Sequence, residues 1–325
     1  MCTKLLILFL LSLFSLQSVA KLHIEILQNE NQNYVKEISK RTIALQNKLN
    51  AFLENSPLKD HEQKFKIKIT DTKQIDGLFV SNEDQKIILL SNKLIHSSEF
   101  EQVLAHEIFH AIHNEFNPNE KSWIKEGLAQ LFEYYLFNRY NTTNVSASFN
   151  SNAYFFSEYT FTDVDRPLYG QHFLYFHYLT RQCGNKDLFW KLITNKESLS
   201  GILLIDKILQ SITVDKIQCK NFSNSFIYFN LSRVINSYNI VDGELDDSYY
   251  LIPSTIKQKE ITSISEIQTI GIHPYSVFFI NKQLGMNLET KSLLSFWIKR
   301  ETPFKITNDI NEVTDSLWTN VLFKF

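Results

Sequence analysis

Residues 106–110 of this 325-residue chain read His-Glu-Ile-Phe-His. On a helix, residues four apart stand on one face about a turn apart, so His106 and His110 can grip one metal ion through ring nitrogens. Glu107 is rotated by about 100° from His106 and can approach a water beside such a metal without ligating, as a general base would. Zinc suits imidazole ligands, and its catalytic sites combine three protein ligands with one open position. Glu126 follows His110 by sixteen residues and is the candidate third ligand, provided that a short turn folds a second helix back onto the first. With 9 His in the chain, His-Glu-x-x-His arises by chance roughly 0.015 times per sequence of this length. The motif therefore needs support from the elements around it.

Those elements are legible. Ser98-Glu99-Phe100-Glu101 has the form of a capping box and predicts a helix start. Phe100, Val103, Leu104, Ile108, Ala111 and Ile112 then recur at helical spacing through the motif. Asn117-Pro118-Asn119 breaks this helix, and a second runs from about Glu120 to Phe137, carrying Glu126. Gly127 costs that helix about 1 kcal/mol relative to Ala, which close approach to the metal-bearing helix would justify. Upstream, residues 31–55 are helical in pattern, and Lys64 to Thr70 alternate as a strand with Phe65, Ile67 and Ile69 on one face. Gly77 to Val80 and Lys86 to Leu90 flank a polar tetrapeptide, Ser81 to Asp84, as a hairpin. Downstream, residues 141–166 read as a long loop. Helical patterning returns from Leu168 to Gln182, stops at Gly184, and resumes through much of 186–236. After Tyr238 four runs read as strands: Ser248 to Ile252, Ser276 to Ile280, Leu293 to Lys299 and Leu317 to Phe325. The expected fold is α+β: a small mixed sheet packed on the active-site helix, a mostly helical second half, and a β-rich C-terminal appendage. The expected domains are 21–237 and 238–325.

HEIFH followed by WIKEGLAQLFE resembles the gluzincin metallopeptidases, whose pattern is H-E-x-x-H and then W-x-x-E-G-x-A-x-x-x-E. The spacing is most similar to their peptidase MA-like group, and the likeness covers roughly residues 30–235. It implies that His106, His110 and Glu126 are zinc ligands and that Glu107 is the general base. It also implies a Tyr or His beyond the third ligand that holds the oxyanion, a position that Tyr169 in Tyr169-Gly170-Gln171-His172 matches best. Two departures stand out. Thermolysin-type enzymes carry Asp four residues after the third ligand, where this chain has Gln130; an amide can accept an imidazole N–H but raises ligand basicity less. Glu133 is a substitute for that role, or an ordinary helix-face carboxylate. No G-x-M-E-N segment precedes the motif, so the amino-terminus clamp of related aminopeptidases is missing. Metzincins are excluded, since His113 and Phe116 stand where Gly and His would be required. His113 reads as a rim or packing residue, and His172 and His177 as core.

Composition narrows the class. Lys+Arg 33 against Asp+Glu 35 leaves a net charge of −2, which gives no general electrostatic reason to bind nucleic acid. Residues 1–20 place Lys4 before an apolar run from Leu5 to Leu16 and then Ser18-Val19-Ala20, the layout of a secretory signal peptide. That run is shorter than the roughly 20 apolar residues of a spanning helix, so no stable membrane insertion is expected. A mature chain starting near Lys21 and exported to the periplasm or beyond follows. Of 3 Cys, Cys183 and Cys219 remain after removal of the signal and can pair in an oxidising compartment, or stay as buried thiols. Four N-x-[ST] sequons, at Asn141, Asn144, Asn221 and Asn230, are short enough to arise by chance. The expected activity is zinc-dependent hydrolysis of a peptide or protein substrate. A metal-stabilised binding module without catalysis is the alternative, against which the intact Glu107 speaks. Nothing in the sequence fixes an oligomeric state.

Overall fold

The computed structural model describes residues 22–27, 32–71, 76–81, 85–149, 165–237 and the backbone of four later strands. The expected signal peptide, the tip of the hairpin, most of the expected 141–166 loop and the strand at Ser248 to Ile252 lie outside these residues. So does the expected boundary at 237/238. The fold is mixed α and β, as the patterning predicts.

The chain divides into two compact units, residues 1–108 and 109–325, with the division inside a helix. In the first unit, β1 (Leu22–Ile26), α1 (Gln32–Glu54), β2 (Gln63–Thr70), β3 (Gly77–Ser81) and β4 (Lys86–Ser91) precede α2 (Phe100–Phe116). The strands form one sheet in the order β1-β2-β4-β3. β1 and β4 pair with β2 in parallel, and β3 closes an antiparallel hairpin with β4, leaving β3 at an edge. The alternation in β2 has the predicted result: Phe65, Ile67 and Ile69 are buried while Lys64 and Lys68 are exposed. Helix α1 contributes Ile38, Leu45, Leu49 and Leu53 to the same core, whereas Ile43, off that stripe, is exposed. Strand β1 was not evident in the sequence. Its five residues alternate, with Leu22, Ile24 and Ile26 against His23 and Glu25, but the run is short, and its parallel pairing with β2 is a contact made across the whole of α1.

The start of α2 is held differently from the expected capping box. The Ser97 hydroxyl, not that of Ser98, accepts the Glu99 N–H (3.1 Å). The Glu101 carboxylate, instead of turning back, forms a two-point pair with the Arg41 guanidinium of α1. Arg41 also donates to the carbonyls of Ile95 (2.8 Å) and Ser97 (2.7 Å), so one side chain ties α1 to the entry of α2. This bonding holds the Glu101 carboxyl below the usual range.

In the second unit, α3 (Ser122–Phe137) is followed by α4 (Thr142–Phe149), α5 (Arg166–Cys183), α6 (Asn185–Ile193), α7 (Ile202–Gln210) and α8 (Phe222–Ser237). The segment 142–149 is thus a helix, not loop. Its polar sequence is offset by Asn141, whose side chain accepts the Asn144 N–H (3.0 Å), and by burial of Val145 and Phe149. Helix α5 is buried nearly all round, as a helix at the centre of a bundle must be. A disulfide between Cys183 and Cys219 links its C-terminal end to the turn before α8. Four later strands, β5 (Ser276–Asn281), β6 (Leu294–Lys299), β7 (Lys305–Thr307) and β8 (Trp318–Lys324), form an antiparallel sheet in the order β5-β8-β6-β7. Three of them match the predicted runs; β7 is too short to announce itself.

Candidate metal centre

His106 and His110 lie on one uninterrupted stretch of α2, and Glu126 lies in α3 after the turn at 117–121. The three residues each offer a ligand atom, and these atoms all lie within 4.8 Å of one another. His110 Nε2 is 3.4 Å from Glu126 Oε1. Both histidines are half-buried and Glu126 is buried, so the group is shielded yet open enough for exchange. Two imidazoles and one carboxylate at this spacing fit a single metal ion. Among the described residues this is where a metal ion could be held.

Glu107 stays out of the ligand set. It is buried, 6% exposed, and its side chain lies against Gly77 at the start of β3. A Cβ built on Gly77 would come within 2.9 Å of Glu107 Oε1 and 2.8 Å of Val103 Cγ1. The glycine thus makes room for the carboxylate, a role that the scarcity of Gly in this chain could have signalled. Gly127 also proves to be a close-approach site, but its neighbour is not α2, the helix that carries His106 and His110. A Cβ there would meet Phe176 and His172 of α5, at 2.6 and 3.0 Å.

Tyr169 sits half-buried in the first turn of α5. Its carbonyl accepts a hydrogen bond from Gln130 Nε2 of α3 (3.1 Å), one turn beyond Glu126. The Gln130 amide therefore ties α3 to the Tyr169 turn. On the other side of that turn, Gly170 is pressed against the Asn144 carbonyl of α4, only 2.0 Å from where a Cβ would stand. Glu133 is half-buried further along α3. His113 is buried, with neither ring nitrogen hydrogen-bonded, and desolvation lowers its pKa to about 3. It lies against Phe109 as a packing residue. His172 and His177 are buried as expected; His177 packs edge-on against Tyr134, and burial lowers its pKa to about 4.

The turn between α2 and α3 carries a feature that no sequence motif marks. Glu120, buried within it, accepts hydrogen bonds from the backbone of Lys121 and Gly201 and from Asn117. No spacing rule marks such a residue, because its partner is 81 positions away. No helix among the described residues is long and apolar enough to cross a membrane. Compared with family models and with curated proteins, the chain matches none, so its functional reading rests on its own residues.

Proposed function

We propose that the protein is an exported zinc metallopeptidase in which His106, His110 and Glu126 hold the metal and Glu107 is the general base. One observation carries this reading. The three donors converge, while the carboxylate next to the first histidine remains outside the set, buried and lodged against an edge strand. A structural metal site has no use for that fourth group. The resemblance of HEIFH and WIKEGLAQLFE to the gluzincin pattern supports the same assignment.

Bound to these residues, zinc would supply Lewis acidity, lowering the pKa of a water to about 7 and polarising a carbonyl. Glu107 takes one proton from the attacking water at its carboxylate as the water oxygen adds to the peptide carbonyl carbon. When the C–N bond breaks, Glu107 returns that proton to the leaving nitrogen. The Tyr169 hydroxyl donates to the carbonyl oxygen as negative charge develops there. Strand β3 offers its free edge to an extended substrate, which pairs through main-chain groups beside Glu107. The disulfide supports an oxidising compartment, in keeping with the signal-like residues 1–20.

The test is Glu107→Gln. The variant is expected to keep about one zinc per chain while hydrolysis of a denatured protein falls at least about 10²-fold. His110→Ala is expected to lose the metal itself. Wild-type protein that binds zinc but cleaves nothing would point to the metal-stabilised binding module instead.

A further inference from the structure

We infer that Glu120 is a positioning residue for the metal centre: it clamps residues 194–201 onto the turn joining the two ligand-bearing helices and so fixes the approach of Glu126. The inference rests on the proposed metal site, and on four contacts made by that segment. Glu120 Oε1 accepts from Lys121 N and Gly201 N, each at 2.7 Å. Glu120 Oε2 accepts from Asn117 Nδ2 at 3.0 Å, and the same amide donates to the Leu199 carbonyl at 3.1 Å. The Lys196 ammonium lies over the Phe116 ring, 5.9 Å from its centroid. Gly201 packs within 3.3 Å of Lys121 Cγ from where a Cβ would stand.

The chemistry of the clamp is specific. Lys121 and Gly201 are the residues immediately before α3 and α7, so one carboxylate receives amide donors from the starts of two helices. Lys121 provides no side-chain cap to α3, and Gly201 has no side chain with which to cap α7. A buried carboxylate is tolerated only where its oxygens are hydrogen-bonded, and these three donors meet that need. Gly201 adopts φ 65 and ψ −141, a conformation that L side chains avoid, and this aims its N–H at Glu120. The turn at 117–121 is also stapled by Lys125, whose ammonium donates to the Pro118 carbonyl at 2.7 Å. A turn held at so many points leaves α3 one way to leave α2, and Glu126 stands at the second turn of α3. Glu120 touches no ligand atom; it acts through the placement of Glu126.

Cobalt(II) is the probe, because its visible absorption reports both binding and the geometry of the ligand set. Titrations on the full chain would compare wild type with Glu120→Ala, Glu120→Gln and Gly201→Ala, the last acting from the far side of the clamp. Val145→Ala, a core truncation in α4, serves as a control for lost stability alone. The expected result is a Kd for cobalt at least about tenfold higher in Glu120→Ala and Gly201→Ala, the effect seen when supporting groups of metal ligands are removed. Glu120→Gln should recover part of the loss, since its carbonyl can still accept from two amides, and Val145→Ala should bind as wild type does. Equal affinity and an unchanged spectrum in all variants would overturn the assignment while leaving the metal site intact. A shift in Val145→Ala as large as that in Gly201→Ala would also overturn it. Wild-type protein that binds no cobalt would remove the metal site, and the role of Glu120 with it. Should Glu120→Ala fail to fold, the Gln and Gly201 variants decide.

Discussion

Among single residues, Gly77 is the most exposed to test. An added methyl there would stand 2.9 Å from the Glu107 carboxylate, so Gly77→Ala must displace either that side chain or the strand. Misplacing a reacting group by about 1 Å costs up to about 10²-fold in rate. Gly77→Ala is therefore expected to lower kcat by between about ten- and a hundredfold with metal content unchanged; full activity would show that Glu107 works from another position. If Tyr169 has the proposed role of donating to the oxyanion, Tyr169→Phe should reduce kcat by about 10²-fold with little change in KM, because such a bond forms mainly in the transition state. A kcat within a few-fold of wild type would leave Tyr169 as a residue of the α5 turn and nothing more. The convergence of His106 and His110 was legible because helix periodicity alone sets the relation of positions 106, 107 and 110. The fit of Gly77 to Glu107 was not, because it depends on how a strand thirty residues earlier is placed.

Elements were legible in proportion to the strength of their own pattern. Helices α1, α2, α3 and α5 and strands β2, β3 and β4 all have repeating apolar positions, and all appear where expected. Strand β1 and helix α4 are short, and tertiary packing forms them against weak local preference. The two cysteines were compatible with a bridge or with free thiols, and the structure resolves that choice as a bridge. It spans 36 positions and joins the end of the central helix α5 to the turn before α8. Closing a loop of that length in the unfolded chain is worth about 3–4 kcal/mol. Replacing Cys183 and Cys219 by Ser should lower unfolding stability by roughly that amount, as read from denaturant midpoints. A loss under about 1 kcal/mol would mean that the packing of α5 and α8 holds without it.

For the molecule as a whole, buried histidines draw down stability in acid. His177 titrates near 4 in the folded chain against 6.5 for an exposed imidazole, so the unfolded chain binds the proton first as pH falls. Its contribution is complete above pH 6.5, drains away down to about pH 4, and is at most on the order of 3 kcal/mol at about 1.4 per unit. His177→Phe should flatten the decline of stability between those limits, measured by urea unfolding of chelator-treated protein so that metal ligation plays no part. An unchanged slope would place the acid sensitivity elsewhere. The edge position of β3 has a different consequence. An enzyme that takes hold of its substrate along such an edge reads main chain, which every polypeptide displays once it is extended. Under the proposed function, selection would then come from the state of the target: well-folded proteins, with their strands already paired, would be spared, and frayed or unfolded ones cut.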